Sequence, residues 1–248
     1  MRRERHFLLP KVFLFYLLSI AILTSGCIKY SYNIEIDNKD VVHITEIDSM
    51  RSSFIKKLDE ERNKKLQNAI DIKKTNLTNE KYEIEDFDDG KYKGLKSVRH
   101  IKLSRFSDLY LPQGFSTPQN RPIVVSKSFY KKTYSILLNY NIKYATRNMI
   151  DNFSTFSDPE EEDEKIDSLH KRIKPISELT IKIPAKAISH NADEVLNNNE
   201  YKWNLISNKP IDISIKYEKI NWLNIFLTLL MIFTVILLIT AIKNRDTK

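Results

Sequence analysis

Cysteine occurs once in this chain, at position 27, and glycine only four times, at 26, 90, 94 and 114. A single thiol excludes an internal disulfide and any cysteine-rich metal centre. Glycines so placed build neither G-x-G-x-x-G nor a phosphate-cradling P-loop. Histidine is also sparse: residues 43, 100, 170 and 190 have no i, i+4 pairing, and H-E-x-x-H is missing. His43 alternates with Val42 and Ile44, which reads as a sheet-surface position rather than a ligand. No serine lies in a G-x-S-x-G elbow. Carboxylates could pair as in glycosidases, but nothing singles out such a pair. The chain is therefore expected to be no enzyme, with no catalytic residue, no metal and no cofactor.

The formal charge of +8 points at first to nucleic acid. Its distribution argues otherwise. Arg2, Arg3, Arg5 and Lys11 precede Cys27, and Lys219, Lys243, Arg245 and Lys248 flank the last apolar run, with Glu4 and Asp246 among them. Setting aside those eight basic and two acidic residues takes the charge from +8 to +2. A near-neutral domain lacks the dense phosphate-neutralising surface of a nucleic-acid binder, and no nucleic-acid partner is expected.

Long apolar runs occur only near the two ends. Residues 1–6 are a basic n-region, and Val12–Leu23 is an uncharged stretch of signal-peptide length, too short to span a bilayer. Ser25 and Gly26 then precede Cys27. Leu23-Thr24-Ser25-Gly26-Cys27 resembles the lipobox of bacterial lipoproteins, with Thr24 where that pattern most often has Leu. The resemblance implies cleavage after residue 26 and a diacylglyceryl group on the Cys27 sulfur; an uncleaved signal anchor is the alternative. At the other end, Trp222–Ile242 carries no charge over 21 residues, enough to cross a bilayer. Trp222 is placed as an interfacial anchor, and Lys243 and Arg245 as the cytoplasmic flank under the positive-inside rule. Thr228, Thr234 and Thr240 face either a partner helix or their own backbone.

Between these ends the pattern is strand-rich. Tyr30–Ile36 and Val41–Ile47 alternate around the turn-forming Asp37-Asn38-Lys39-Asp40, a hairpin signature. Met50, Phe54, Leu58, Leu66 and Ile70 recur at helical spacing, predicting one helix over residues 49–74. Further strands are expected at 81–87, 94–103, 123–129, 134–144, 178–184, 187–190, 201–203 and 211–217, with a loop over 112–122. Phe106, Leu109 and Leu111 read as a short plug at a core edge, and Trp203 as a core residue. Asp158–Glu164 has no glycine at its bend and no ligand alternation, so it reads as a solvated acidic loop rather than a calcium site.

Ile181–Pro184, His190-Asn191-Ala192, Asn198–Leu205 and Ile211–Tyr217 together resemble the closing hairpins of LppM-type envelope lipoproteins. Cys27 with Tyr32–Ile36 is similar to that family's opening, and Gly94-Leu95 with the Phe106 region to its centre. The resemblance implies a lipid-anchored ectodomain that contacts envelope lipid or glycolipid.

The expected fold is α+β: a β-rich antiparallel ectodomain with one long amphipathic helix, then a single C-terminal transmembrane helix. Its boundaries are a lipoprotein signal at 1–26, an extracytoplasmic domain at 27–218, the span at 219–242 and a cytoplasmic tail at 243–248. The expected partner is membrane lipid, with a membrane-protein partner through the span as a further possibility. The expected function is a membrane-tethered, non-enzymatic lipoprotein that binds lipid or organises the cell surface. An accessory subunit of a transport or secretion complex is the alternative, and an envelope hydrolase the third reading.

Overall fold

The computed structural model describes residues 28–107, 110–112, 114–118, 121–141, 176–205 and 210–245. The signal segment, Cys27, Leu109, His170, the acidic Asp158–Glu164 and the last three residues lie outside the described residues.

The first hairpin forms as its alternation predicts. Strands β1 (Ile28–Ile36) and β2 (Val41–Arg51) pair antiparallel from Ile28–Met50 to Ile36–Val42. The turn closes because the Asp37 carboxylate accepts bonds from the Lys39 and Val41 amides, both 2.8 Å. Those bonds hold the Asp37 carboxyl below the usual carboxylate range. Asp40 takes the left-handed conformation the turn needs, with φ 59°.

The predicted helix divides. Met50 belongs to β2, where it pairs with Ile28 and Lys93. A single turn, α1 (Ser52–Ile55), and a break around Leu58 follow, and the long helix α2 is Glu60–Asn79. A strand can carry apolar residues at positions 50 and 54 as readily as a helix can, and the sheet claimed the first.

Strands β3 (Glu83–Asp88) and β4 (Tyr92–Lys102) extend the first hairpin, joined at Gly90 with φ 83°. After a 3₁₀ turn at Leu103–Arg105, β5 (Phe115–Ser116) interrupts what the sequence reads as loop. β6 (Ile123–Lys127) and β7 (Lys131–Tyr140) make a second hairpin. β8 (Ile176–Lys182), β9 (Ala187–His190), β10 (Glu194–Asn197), β11 (Glu200–Asn204) and β12 (Ile211–Ile220) complete the strands, and α3 is Trp222–Arg245.

Seven strands form one sheet in the order β10-β11-β8-β1-β2-β4-β3, and β5-β7-β12-β9 form a second, with β6 also on β7. The larger sheet is mixed rather than purely antiparallel, because β8 runs parallel to β1 from Lys29–Ile176 to Glu35–Lys182. Alternation specifies a face and not a direction, so the sequence pattern could not distinguish the two.

The sheets pack face to face over Tyr32, Ile34, Ile36, Val42, Ile44, Leu179 and Ile181 from one side and Tyr134, Ile136, Leu138, Tyr140, Ile213, Ile215 and Tyr217 from the other. Trp203 is 2% exposed in this core, and its indole N–H donates to Asn191 Oδ1 at 3.0 Å. Tyr140 and Ser177 hydroxyls bond at 2.9 Å across the two sheets. On the outer face, Glu178 bridges Lys29 and Lys202, each at 3.0 Å.

Gly94 sits where β4 presses on β2. A Cβ there would meet the Asp48 carbonyl oxygen and stand 2.7 Å from Ser49 Cα, both backbone atoms that cannot rotate away. Gly94→Ala is therefore expected to cost about 1–3 kcal/mol through forced separation of the strands. Urea unfolding of the full chain would read this as a lower midpoint with an unchanged slope.

Candidate functional site

The inward face of the larger sheet is longer than the second sheet that covers it. At the Ile28–Met50 end the cover is α2, whose Leu66 and Ala69 are buried and whose Ile70, Lys73 and Leu77 continue the same stripe. That stripe is what the spacing of Leu66 and Ile70 predicts, while Ile72 on the opposite side is 53% exposed.

Helix and sheet do not close completely. Between them lies a cavity of about 360 Å³, within the range of small-molecule sites. Ile28, Met50, Leu66, Ile70, Leu95 and Leu111 give it apolar walls.

Its polar end is built by register. Tyr30, Asp48 and Leu95 form one cross-strand row, and Tyr32, Glu46 and Ser97 the next, so both carboxylates point toward α2. Lys73 enters from the helix, bonding Asp48 Oδ2 and, at 3.3 Å, Glu46 Oε1. Asp48 Oδ1 is buried with no hydrogen-bond partner among the described residues.

Glu46 is 8% exposed, and its carboxyl is raised to about 7, first by burial and then by the neighbouring Asp48 carboxylate, against the pull of Lys73. Burial pulls the Lys73 ammonium down, but the Asp48 and Glu46 carboxylates outweigh it and raise its pKa. Two carboxylates and one ammonium carry a net charge of −1 when all are ionised. A proton on Glu46 makes the trio neutral, which is the form a low-dielectric site favours. Burial also pushes Tyr30 and Tyr32 well above the ordinary phenol range, so both remain neutral hydroxyls.

The arrangement can hold an elongated apolar group along α2, with a hydrogen-bond donor directed at Asp48. Among the described residues no group of three or more His, Cys, Asp or Glu could hold a metal.

Neither Glu46 nor Asp48 was singled out from sequence. They occupy the inward parity of β2, continuing Val42 and Ile44, and a charge at a core-parity position is the signal that could have marked them. His43 is half-exposed on the opposite face, as expected. Its ring faces His100 across the β2–β4 pair with Nδ1 atoms 2.6 Å apart, a contact only the register reveals.

Of the expected anchor residues, Cys27 lies outside the described residues. Trp222 opens α3, and Lys243 and Arg245 fall in its last turn. Trp222–Thr240 has a mean hydropathy of 2.6 with none of that span buried, so α3 is long and apolar enough to cross a membrane. The hydroxyls of Thr228, Thr234 and Thr240 each donate to a carbonyl of their own helix at 2.8 Å, so none needs a partner helix to be satisfied.

Glu46 makes stability depend on pH in a direction opposite to the usual carboxylate. Its folded pKa of about 7 lies above the ordinary 4.5, so the folded state holds the proton more tightly. The stabilisation is full below about pH 4.5 and is lost as pH rises through 7. Glu46→Gln is expected to remove this fall and to be more stable than the native chain at pH 8. Urea unfolding of both proteins between pH 5 and pH 8 checks it.

No family model matches the chain, and no curated protein matches it. Among solved structures it is similar to the NMR structure of the folded domain of Mycobacterium tuberculosis LppM, at 14% identity with a TM-score of 0.44, over 79% of this chain and 92% of that one.

Proposed function

We propose that this protein is a membrane-tethered, non-enzymatic lipoprotein of the bacterial envelope, whose domain takes an amphiphile, an envelope lipid or glycolipid, into the cavity beneath α2. The observation that carries the reading is the cavity itself: apolar along the helix, polar at one end, with an Asp48 oxygen that has no hydrogen-bond partner among the described residues. That oxygen suits a hydroxyl or amine on the ligand, and the apolar walls suit an acyl chain. α3 crosses the cytoplasmic membrane with the domain outside and Lys243 and Arg245 on the cytoplasmic side.

The tethers constrain how the domain sits. Lys219, next to α3, binds Asp40 at 2.7 Å and the Asn38 carbonyl at 3.0 Å, so the β1–β2 turn lies beside the membrane helix. Ile28 is at the other end of β1, roughly 26 Å away for a strand of this length. With Cys27 bearing the lipid, two anchors in one membrane lay the domain along the surface rather than standing it on α3. Ile28, the residue after Cys27, lines the cavity, so this reading brings the cavity close to the lipid anchor.

Crosslinking tests the cavity. The full chain, extracted with its surrounding membrane in polymer particles, is illuminated in the presence of a diazirine-bearing phospholipid, and modified peptides are mapped by mass spectrometry. Adducts are expected on segments 28–50 and 66–77 as well as on α3. Ala69→Phe, which fills the cavity, should lower the first two severalfold and leave α3 adducts unchanged. Adducts confined to α3 in the native chain would overturn the binding role.

A further inference from the structure

The hairpin between β6 and β7 turns through two residues, Phe129 and Tyr130, bracketed by a 2.8 Å bond from the Ser128 amide to the Lys131 carbonyl. Two-residue hairpins favour Asn-Gly and similar pairs, whose polar or absent side chains suit a solvated tip. Here the tip is aromatic. Phe129 is 62% exposed and Tyr130 49%, their rings edge to face with centroids 4.9 Å apart, and neither residue has a positive φ. Neither aromatic contributes to the core, so turn chemistry and burial have both been given up at this one place.

The tip is bonded to the start of α3. The Asn221 amide donates to the Tyr130 carbonyl at 2.8 Å, and Asn224 Nδ2 donates to the Phe129 carbonyl at 2.6 Å. One residue separates β12 from α3, so strand, helix and hairpin tip meet at one junction. Phe129 and Tyr130 therefore sit level with Trp222 and the first turn of the apolar helix.

Charge marks the same corner. Lys127 pairs directly with Lys132, and Lys132 with Lys219, a row of three ammonium groups across β6, β7 and β12. Lys219 is neutralised by Asp40 at 2.7 Å. Among the described residues Lys127 and Lys132 have no acidic partner. Directly opposed like charges destabilise a sheet, and an external anion relieves them. Aromatic rings beside cations, level with the end of an apolar helix, are the composition of a membrane interface.

We infer that the β6–β7 tip is a second membrane-contact surface: Phe129 and Tyr130 enter the headgroup layer of the bilayer that α3 crosses, and Lys127 and Lys132 bind its anionic phosphates. This inference rests on the reading of α3 as a membrane span. The tip fixes the domain's rotation about α3, which a helix joined through one residue does not set alone.

Depth-dependent quenching tests it. The full chain carrying Trp222→Phe keeps buried Trp203 as a constant baseline, and is reconstituted in vesicles whose upper acyl carbons are brominated. Into this background go Phe129→Trp and, separately, Leu230→Trp in the middle of the span. Emission at both positions is expected to fall, and at 129 to fall further when phosphatidylglycerol accompanies phosphatidylcholine. Quenching at 230 without quenching at 129 overturns the contact surface and leaves the span standing. No quenching at either overturns the span and this inference with it. Equal quenching at 129 with and without phosphatidylglycerol overturns the role of the lysines. Tyr130→Trp gives the same readings if Phe129→Trp does not fold.

Discussion

The inward face of β1 needs two different covers, and most of the structure follows from that requirement. Five of its nine residues alternate onto this face, from Ile28 to Ile36, and all five are buried. The second sheet reaches Tyr32, Ile34 and Ile36. Ile28 and Tyr30 belong to the same core and also line the cavity beneath α2. A sheet face this long exposes too much apolar surface to leave open, yet a helix and a sheet present different shapes at the seam. The cavity and its charged trio occur where the helix supplies the cover.

That placement explains why charge is tolerated inside. Glu46 and Asp48 hold inward positions of β2 that Val42 and Ile44 fill elsewhere, and Lys73 descends from α2 to meet them. A buried cluster of this kind contributes little net stability, but it ties one helix register to one sheet register. The same low dielectric that makes the trio costly makes the unpartnered Asp48 oxygen a strong acceptor for any donor that enters. Site and constraint are thus one feature: the polar groups that tie helix to sheet also line the cavity.

The junction at the other end works by contrast through short connections. β12 runs into α3 across Asn221 alone, and the hairpin tip is held to the same turn by backbone carbonyls. Lys219 ties in the β1–β2 turn as well. Three separate pieces of chain converge on the first turn of an apolar helix that nothing in the described residues covers.

Much of this was legible in the residues. The hairpins at Asp37–Asp40 and Asp88–Gly90, the core position of Trp203, the β12 alternation and the length of α3 all follow from local chemistry, because turns, parity and apolar length are properties of consecutive residues. The α2 stripe was visible at Leu66 and Ile70, although its start was misplaced, since Met50 satisfies a strand as well as a helix. What local pattern does not contain is pairing. The parallel β1–β8 contact, the meeting of Lys73 with Glu46 and Asp48, the His43–His100 contact and the docking of Phe129 and Tyr130 onto α3 join residues 25 to 150 positions apart. Sequence by itself determined which surfaces must be covered; only the tertiary structure decided what covers each, because burial is a demand of one residue and contact is a relation between two.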